Sequence, residues 1–118
     1  MQIITRKIDA VKEFRFVCES LPTRSGFKHV ATLFENGDIY PTESATCYYY
    51  NRTWECWCYQ TVCREVVHKI IGFYQARAVE RYKEKNNLKR ISAEKRKEIE
   101  NSIPEVENTY KPLLESLK

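Results

Sequence analysis

The chain has 118 residues, of which 42% are hydrophobic and 31% charged, with three glycines and four prolines. This composition excludes collagen-like, linker-like and generically disordered chains, and the length fits one domain with at most a short appendage. The net charge of +4 is unevenly spread. Residues 64–97 hold eleven Lys/Arg against four Glu, whereas residues 98–118 hold five Glu against Lys111 and Lys118. A basic middle therefore precedes an acidic tail. A solvated helix face with local Glu–Lys pairs, such as Glu80 and Glu84 against Arg81 and Lys85, is one explanation. An anionic partner is the other.

No apolar run approaches the roughly 20 residues that span a bilayer. Arg6, Lys7, Asp9 and Lys12 interrupt the first twelve residues, so no signal-peptide core is expected there. Five cysteines, an odd number, fit a reduced cytoplasmic chain better than a disulfide framework.

Residues 2–12 read as either a short helix or a first strand. Phe14 to Glu19 alternates: Phe14, Phe16 and Cys18 face one way, Arg15, Val17 and Glu19 the other, which is the pattern of a half-buried strand. Leu21–Gly26 is expected to break it. Phe27–Phe34 reads as the next strand, and Asn36-Gly37 after it is a strong hairpin signal. Ile39-Tyr40 resumes briefly before Pro41. A third strand is expected over Ala45–Tyr50 and a fourth extended piece over Trp54–Tyr59.

From Gln60 the period changes. Val62, Val66, Ile70 and Phe73 recur at helical spacing, predicting a helix over about 60–85 whose charged second half projects beyond the core. Asn86-Asn87 marks its stop. Ser92 is an N-cap for a helix over 93–102, and Pro104 opens another with Val106, Tyr110, Leu113, Leu114 and Leu117 on its apolar face. Pro112 must kink that helix or restart it.

The fold class is α+β: an antiparallel sheet of three to four strands packed by one long helix, with a C-terminal helical appendage. The boundaries are 1–85 for the core and 86–118 for the appendage. Were residues 2–12 helical, the order α-β-β-β-α would match that of double-stranded-RNA-binding domains.

Thr23-Arg24-Ser25-Gly26-Phe27, His29, Ala31-Thr32-Leu33, Tyr49-Tyr50-Asn51-Arg52-Thr53-Trp54-Glu55, Tyr59-Gln60 and Val62 form a series. Over residues 14–71 it resembles short uncharacterised proteins of bacteriophages and mobile elements. The resemblance implies a bacterial cytoplasm. Small proteins of that setting are often nucleic-acid binders or inhibitors of host defence, anti-CRISPR proteins included.

Cys56, Cys58, Cys63 and His68 hold four soft donors within thirteen residues. A one-residue gap between Cys56 and Cys58 splays their sulfurs on a strand, so core packing is favoured over zinc, and neither metal nor cofactor is expected. No Gly-rich phosphate loop, nucleophile elbow or paired-carboxylate motif is present, so no enzyme is expected.

Residues 40–59 contain seven of the fifteen aromatic residues. An aromatic sheet face with Tyr48, Tyr50, Trp57 and Tyr59, edged by Arg24 and Arg52, is the candidate surface for a protein partner. Arg77, Arg81, Lys83, Lys85, Lys89 and Arg90 are the candidates for nucleic acid or an acidic surface. Arg64, at the helix start, is a further possible phosphate contact. The sequence thus points to a non-enzymatic inhibitor that binds a host-defence or other nucleoprotein complex. The alternative is a small module that binds single- or double-stranded RNA or DNA.

Overall fold

The computed structural model describes residues 2–24, 26–38, 43–49 and 55–118, and of these 23, 26, 27, 43–49 and 55–58 are described by backbone alone. Four strands form one antiparallel meander in the order β1-β2-β3-β4: β1 Gln2–Lys7, β2 Glu13–Thr23, β3 Gly26–Glu35 and β4 Glu43–Tyr49. Helix α1 spans Glu55–Lys85 and α2 spans Ala93–Glu100. A π-helical turn, Val106–Tyr110, runs directly into α3, Lys111–Ser116. The architecture is α+β, as the sequence pattern predicts.

Residues 2–7 form a strand, so the chain does not start with a helix and the α-β-β-β-α order falls away. Burial in β1 alternates, with Gln2, Ile4 and Arg6 turned inward, as β-branched residues on a pleated surface favour. Asp9 closes the turn after it: its Oδ1 accepts from the backbone N–H of Val11 at 2.7 Å and of Lys12 at 2.8 Å. Those two bonds hold its carboxyl below the usual carboxylate range.

The alternation of β2 holds. Phe14, Phe16 and Cys18 are buried, and Ala31 and Leu33 oppose them from β3. The break expected over Leu21–Gly26 is confined to the turn between Thr23 and Gly26. β2 continues to Thr23, with Pro22 paired to Phe27. The pairing of β1 ends at Cys18, so Pro22 lies where β2 has a neighbour on one side only. A residue without an N–H is tolerated at such an edge position.

The Asn36-Gly37 signal is realised. Both residues take positive φ, 51° and 76°, and the Asp38 N–H donates to the Glu35 carbonyl at 3.0 Å. Asn36 also exchanges two bonds with Glu13, which ties the turn to the start of β2. Ile39, Tyr40 and Pro41 lie outside the described residues.

Helix α1 begins at Glu55, so the backbone over 55–59 is helical and not the extended piece expected from its aromatic run. Aromatic and β-branched residues favour strands only when they pack on a sheet. Here the sheet-facing stripe of Tyr59, Val62, Cys63, Val66, Val67 and Ile70 is already at helical spacing. Its second half does not project alone, because α2 packs back on it and buries Val79. The helix stops at Asn86-Asn87. Asn87 takes φ 53°, and Leu88 N–H donates to the Lys83 carbonyl at 2.8 Å, which closes the end as a Schellman turn.

Ser92 caps α2 as expected, its Oγ accepting from the Lys95 N–H at 3.2 Å. The restart expected at Leu113 falls at Lys111, where α3 begins with Pro112 in its first turn. The turn before it is widened, and the Lys111 N–H reaches the carbonyl of Val106, five residues back. The wider turn accommodates the proline ring that a regular turn would press against a carbonyl.

The segment 86–118 is no separate appendage. Val106, Tyr110, Leu113 and Leu117 join the same buried cluster as Phe14, Phe16 and Leu33. The carbonyl of Leu117 accepts from Gln60 Nε2 and from Arg64 Nη1, which fixes the chain end to the start of α1. All helices that contact the sheet lie on one side of it; among the described residues no element covers the face carrying Arg15, Val17, Val30 and Phe34.

Candidate interaction surface

Among the described residues, two polar features join the sheet to α1 inside the core. Ser20, one step beyond Cys18 on the inward side of β2, pairs with His29 of β3. Its Oγ is 2.7 Å from His29 Nδ1 and 2.7 Å from the Tyr59 hydroxyl. The His29 and Tyr59 rings stand nearly perpendicular, at 89°, with their centroids 5.9 Å apart. A hydroxyl on an imidazole is the start of a nucleophile–base pair. With His29 only 3% and Tyr59 8% exposed, however, the cluster serves to satisfy buried polar groups.

Tyr59 is therefore part of the core and not of a partner-binding face. The sequence reading missed Ser20 because it ended the strand at Glu19. Continuing the Phe14, Phe16, Cys18 alternation by one step would have found it.

The second feature is a thiol pair. Cys18 Sγ of β2 and Cys63 Sγ of α1 are 3.5 Å apart, both fully buried. Contact with Cys18 and burial push the Cys63 thiol well up. Cys63 thus packs in the core, as favoured over a zinc ligand. His68, five positions on, is exposed on another side of α1. Among the described residues no group of three or more His, Cys, Asp or Glu is placed to hold a metal ion.

The other candidates divide clearly. Trp57 lies on α1 and not on a strand, and Tyr48 pairs with Lys28 in the ladder; their side chains are outside the description. Tyr50 and Arg52 lie outside the described residues altogether. Arg24 is exposed at the β2–β3 turn. Arg64 is held in the fold: its Nη1 donates to the Leu117 carbonyl and its Nη2 to Thr61 Oγ1, so it is not offered to phosphate.

The basic set remains on the surface. Arg77, Arg81, Lys85, Lys89 and Arg90 are exposed, and none makes an ion pair with a described residue. Lys83 differs, because it is half-buried and lies 3.7 Å from Glu80. The Glu–Lys pairing expected for this stretch thus forms at 80–83 and leaves Arg81 and Lys85 without an ion pair to any described residue.

Arg77, Arg81 and Lys85 stand at successive i,i+4 positions, about 6 Å apart along the helix. One turn before Arg77 stands Phe73, 60% exposed. On its other flank α2 closes a shallow groove lined by Gly72, Ala76, Val79, Lys83, Arg96 and Glu100. Lys95 of α2 sits 4.9 Å over the Tyr82 ring and helps hold this arrangement.

No family model, curated protein or solved structure matches the chain. No helix among the described residues is long and apolar enough to cross a membrane.

Proposed function

We propose that this protein acts without catalysis, by docking the exposed basic row of α1 on a host-defence or other nucleoprotein complex and so inhibiting it, in the manner of anti-CRISPR proteins. The observation that carries this reading is the row itself. Arg77, Arg81 and Lys85 are exposed and unpaired with described residues, and they continue into an exposed phenylalanine on one rigid helix. Arginine beside an aromatic ring is the chemistry of an interface anchor. Glu80 and Glu84 interleave with the cations, which suits a protein surface of mixed charge better than a bare phosphate backbone. The resemblance to phage and mobile-element proteins supplies the bacterial cytoplasmic setting.

The same unpaired cations favour a second reading, a nucleic-acid-binding module. Fluorescence anisotropy with single-stranded and duplex DNA and RNA separates the two. Under the inhibitor reading, a purified effector complex binds the protein at moderate salt while free nucleic acid does not. The triple variant Arg77→Glu, Arg81→Glu, Lys85→Glu then loses the complex and keeps its melting temperature. Tight binding to free nucleic acid that falls steeply with log salt would replace the inhibitor by the nucleic-acid module.

A further inference from the structure

We propose that α1 is also a self-association helix, through which two copies of the chain pair antiparallel along Lys69, Phe73, Ala76 and Glu80. The four residues follow a four-three-four spacing, which keeps them on one side of the helix. All four are exposed. The stripe continues the line of Val62 and Val66, which the core buries, and from Lys69 onward that line is open to solvent. Ala76 and Glu80 also border the groove beside α2, yet stay exposed. Beside the stripe Gly72 is exposed, and a Cβ built there meets nothing within 4 Å.

The chemistry of the stripe reads the same when two copies run in opposite directions. Lys69 then comes opposite Glu80 of the second copy, and Phe73 opposite Ala76. A two-fold axis makes each pairing twice, which is what an isologous contact requires. A parallel arrangement would instead set Lys69 on Lys69, Glu80 on Glu80 and ring on ring.

Large against small also lets the two helices approach to the 8–10 Å typical of packed helices, at about the height of one aromatic ring. The pairing accounts for an acidic residue in the most basic segment of the chain. The internal ion pair of Glu80 with Lys83, at 3.7 Å and exposed on the glutamate side, is weak enough to share its carboxylate. Arg77, Arg81 and Lys85 lie along one flank of the stripe and are not consumed, whereas Phe73 is shared, so self-association and docking on the effector compete for that ring.

The test is sedimentation velocity of the full chain over about 5 to 500 µM, the range of a small, transient interface. The wild type should shift from monomer to dimer across it. Lys69→Glu and Glu80→Lys should each weaken the dimer about tenfold or more, since each sets like charges opposite one another twice. The double variant, with the charges exchanged, should recover an affinity close to that of the wild type. Phe73→Asp should be monomeric throughout. All four positions are exposed, so melting temperatures should hold. A wild type that stays monomeric overturns the proposal, as does a dimer indifferent to reversal at 69 and 80 or not restored by the double exchange.

Discussion

The two halves of α1 are built for different tasks. From Tyr59 to Ile71 the helix is a core element, with Val62, Cys63, Val66, Val67 and Ile70 pressed on Phe14, Phe16 and Leu33. From Phe73 to Lys85 it buries chiefly Val79, against α2, and turns cations and one phenylalanine to solvent. The buried side rotates between the halves, from the sheet to α2, so the helix carries two short apolar stripes instead of one long one. A single helix thus links a well-packed interior to an exposed surface without a hinge. Substitutions at the buried positions of the first half should act on stability, and those at the exposed positions from Lys69 to Lys85 on association.

The sharpest break comes from the sheet side. Phe16→Ala opens a fully buried site under the first half and should cost about 3–5 kcal/mol. Chemical denaturation followed by far-UV circular dichroism measures it, and a small loss would mean that the first half is not seated on the sheet as described.

Leu113→Ala should cost about 2–5 kcal/mol although it lies far along the chain, because Leu113 is fully buried in the same cluster. Unfolding should remain one transition; two transitions would separate the C-terminal segment from the core. Ser92→Ala should cost about 1 kcal/mol through loss of its bond to the Lys95 N–H, seen as faster amide exchange in the first turn of α2. By contrast, each charge reversal at Arg77, Arg81 or Lys85 should stay within about 0.5 kcal/mol.

The smallest effect is alkaline. The Glu105 carboxylate, hydrogen-bonded to the Tyr74 hydroxyl, raises the pKa of that hydroxyl above its ordinary value of 10.0, and burial and Tyr110 act in the same direction. A raised pKa means that the fold holds the neutral tyrosine. Its contribution is fully present below pH 10.0 and is lost as pH rises toward the folded pKa. Tyr74→Phe should therefore make the fall of melting temperature above that pH shallower.

Much of this comparison is legible in the residues. Alternation in β2, the Asn36-Gly37 turn, the stripe from Val62 to Ile70, the Asn86-Asn87 stop and the Ser92 cap are local signals, and local signals survive into the fold. What the sequence hid is non-local. The aromatic run before Gln60 reads as a strand by propensity, yet the helix extends back to Glu55. Tyr59 looks like a surface aromatic until β2 and β3 bring Ser20 and His29 to it. The role of residues 104–117 as core was visible as an apolar face, but not the partner that face would find. On the basic helix, the charges were plain, whereas their pairing was not: Lys83 takes Glu80, and Arg81 and Lys85 are left free of ion pairs with described residues.

The two thiols between β2 and α1 give the molecule an internal clock. Cys18 and Cys63 are fully buried and touch each other across the contact between sheet and helix. An alkylating reagent can reach them only when that contact opens. The rate at which these two cysteines are modified in the folded protein, read by mass after proteolysis, is therefore a direct record of how often helix and sheet part company.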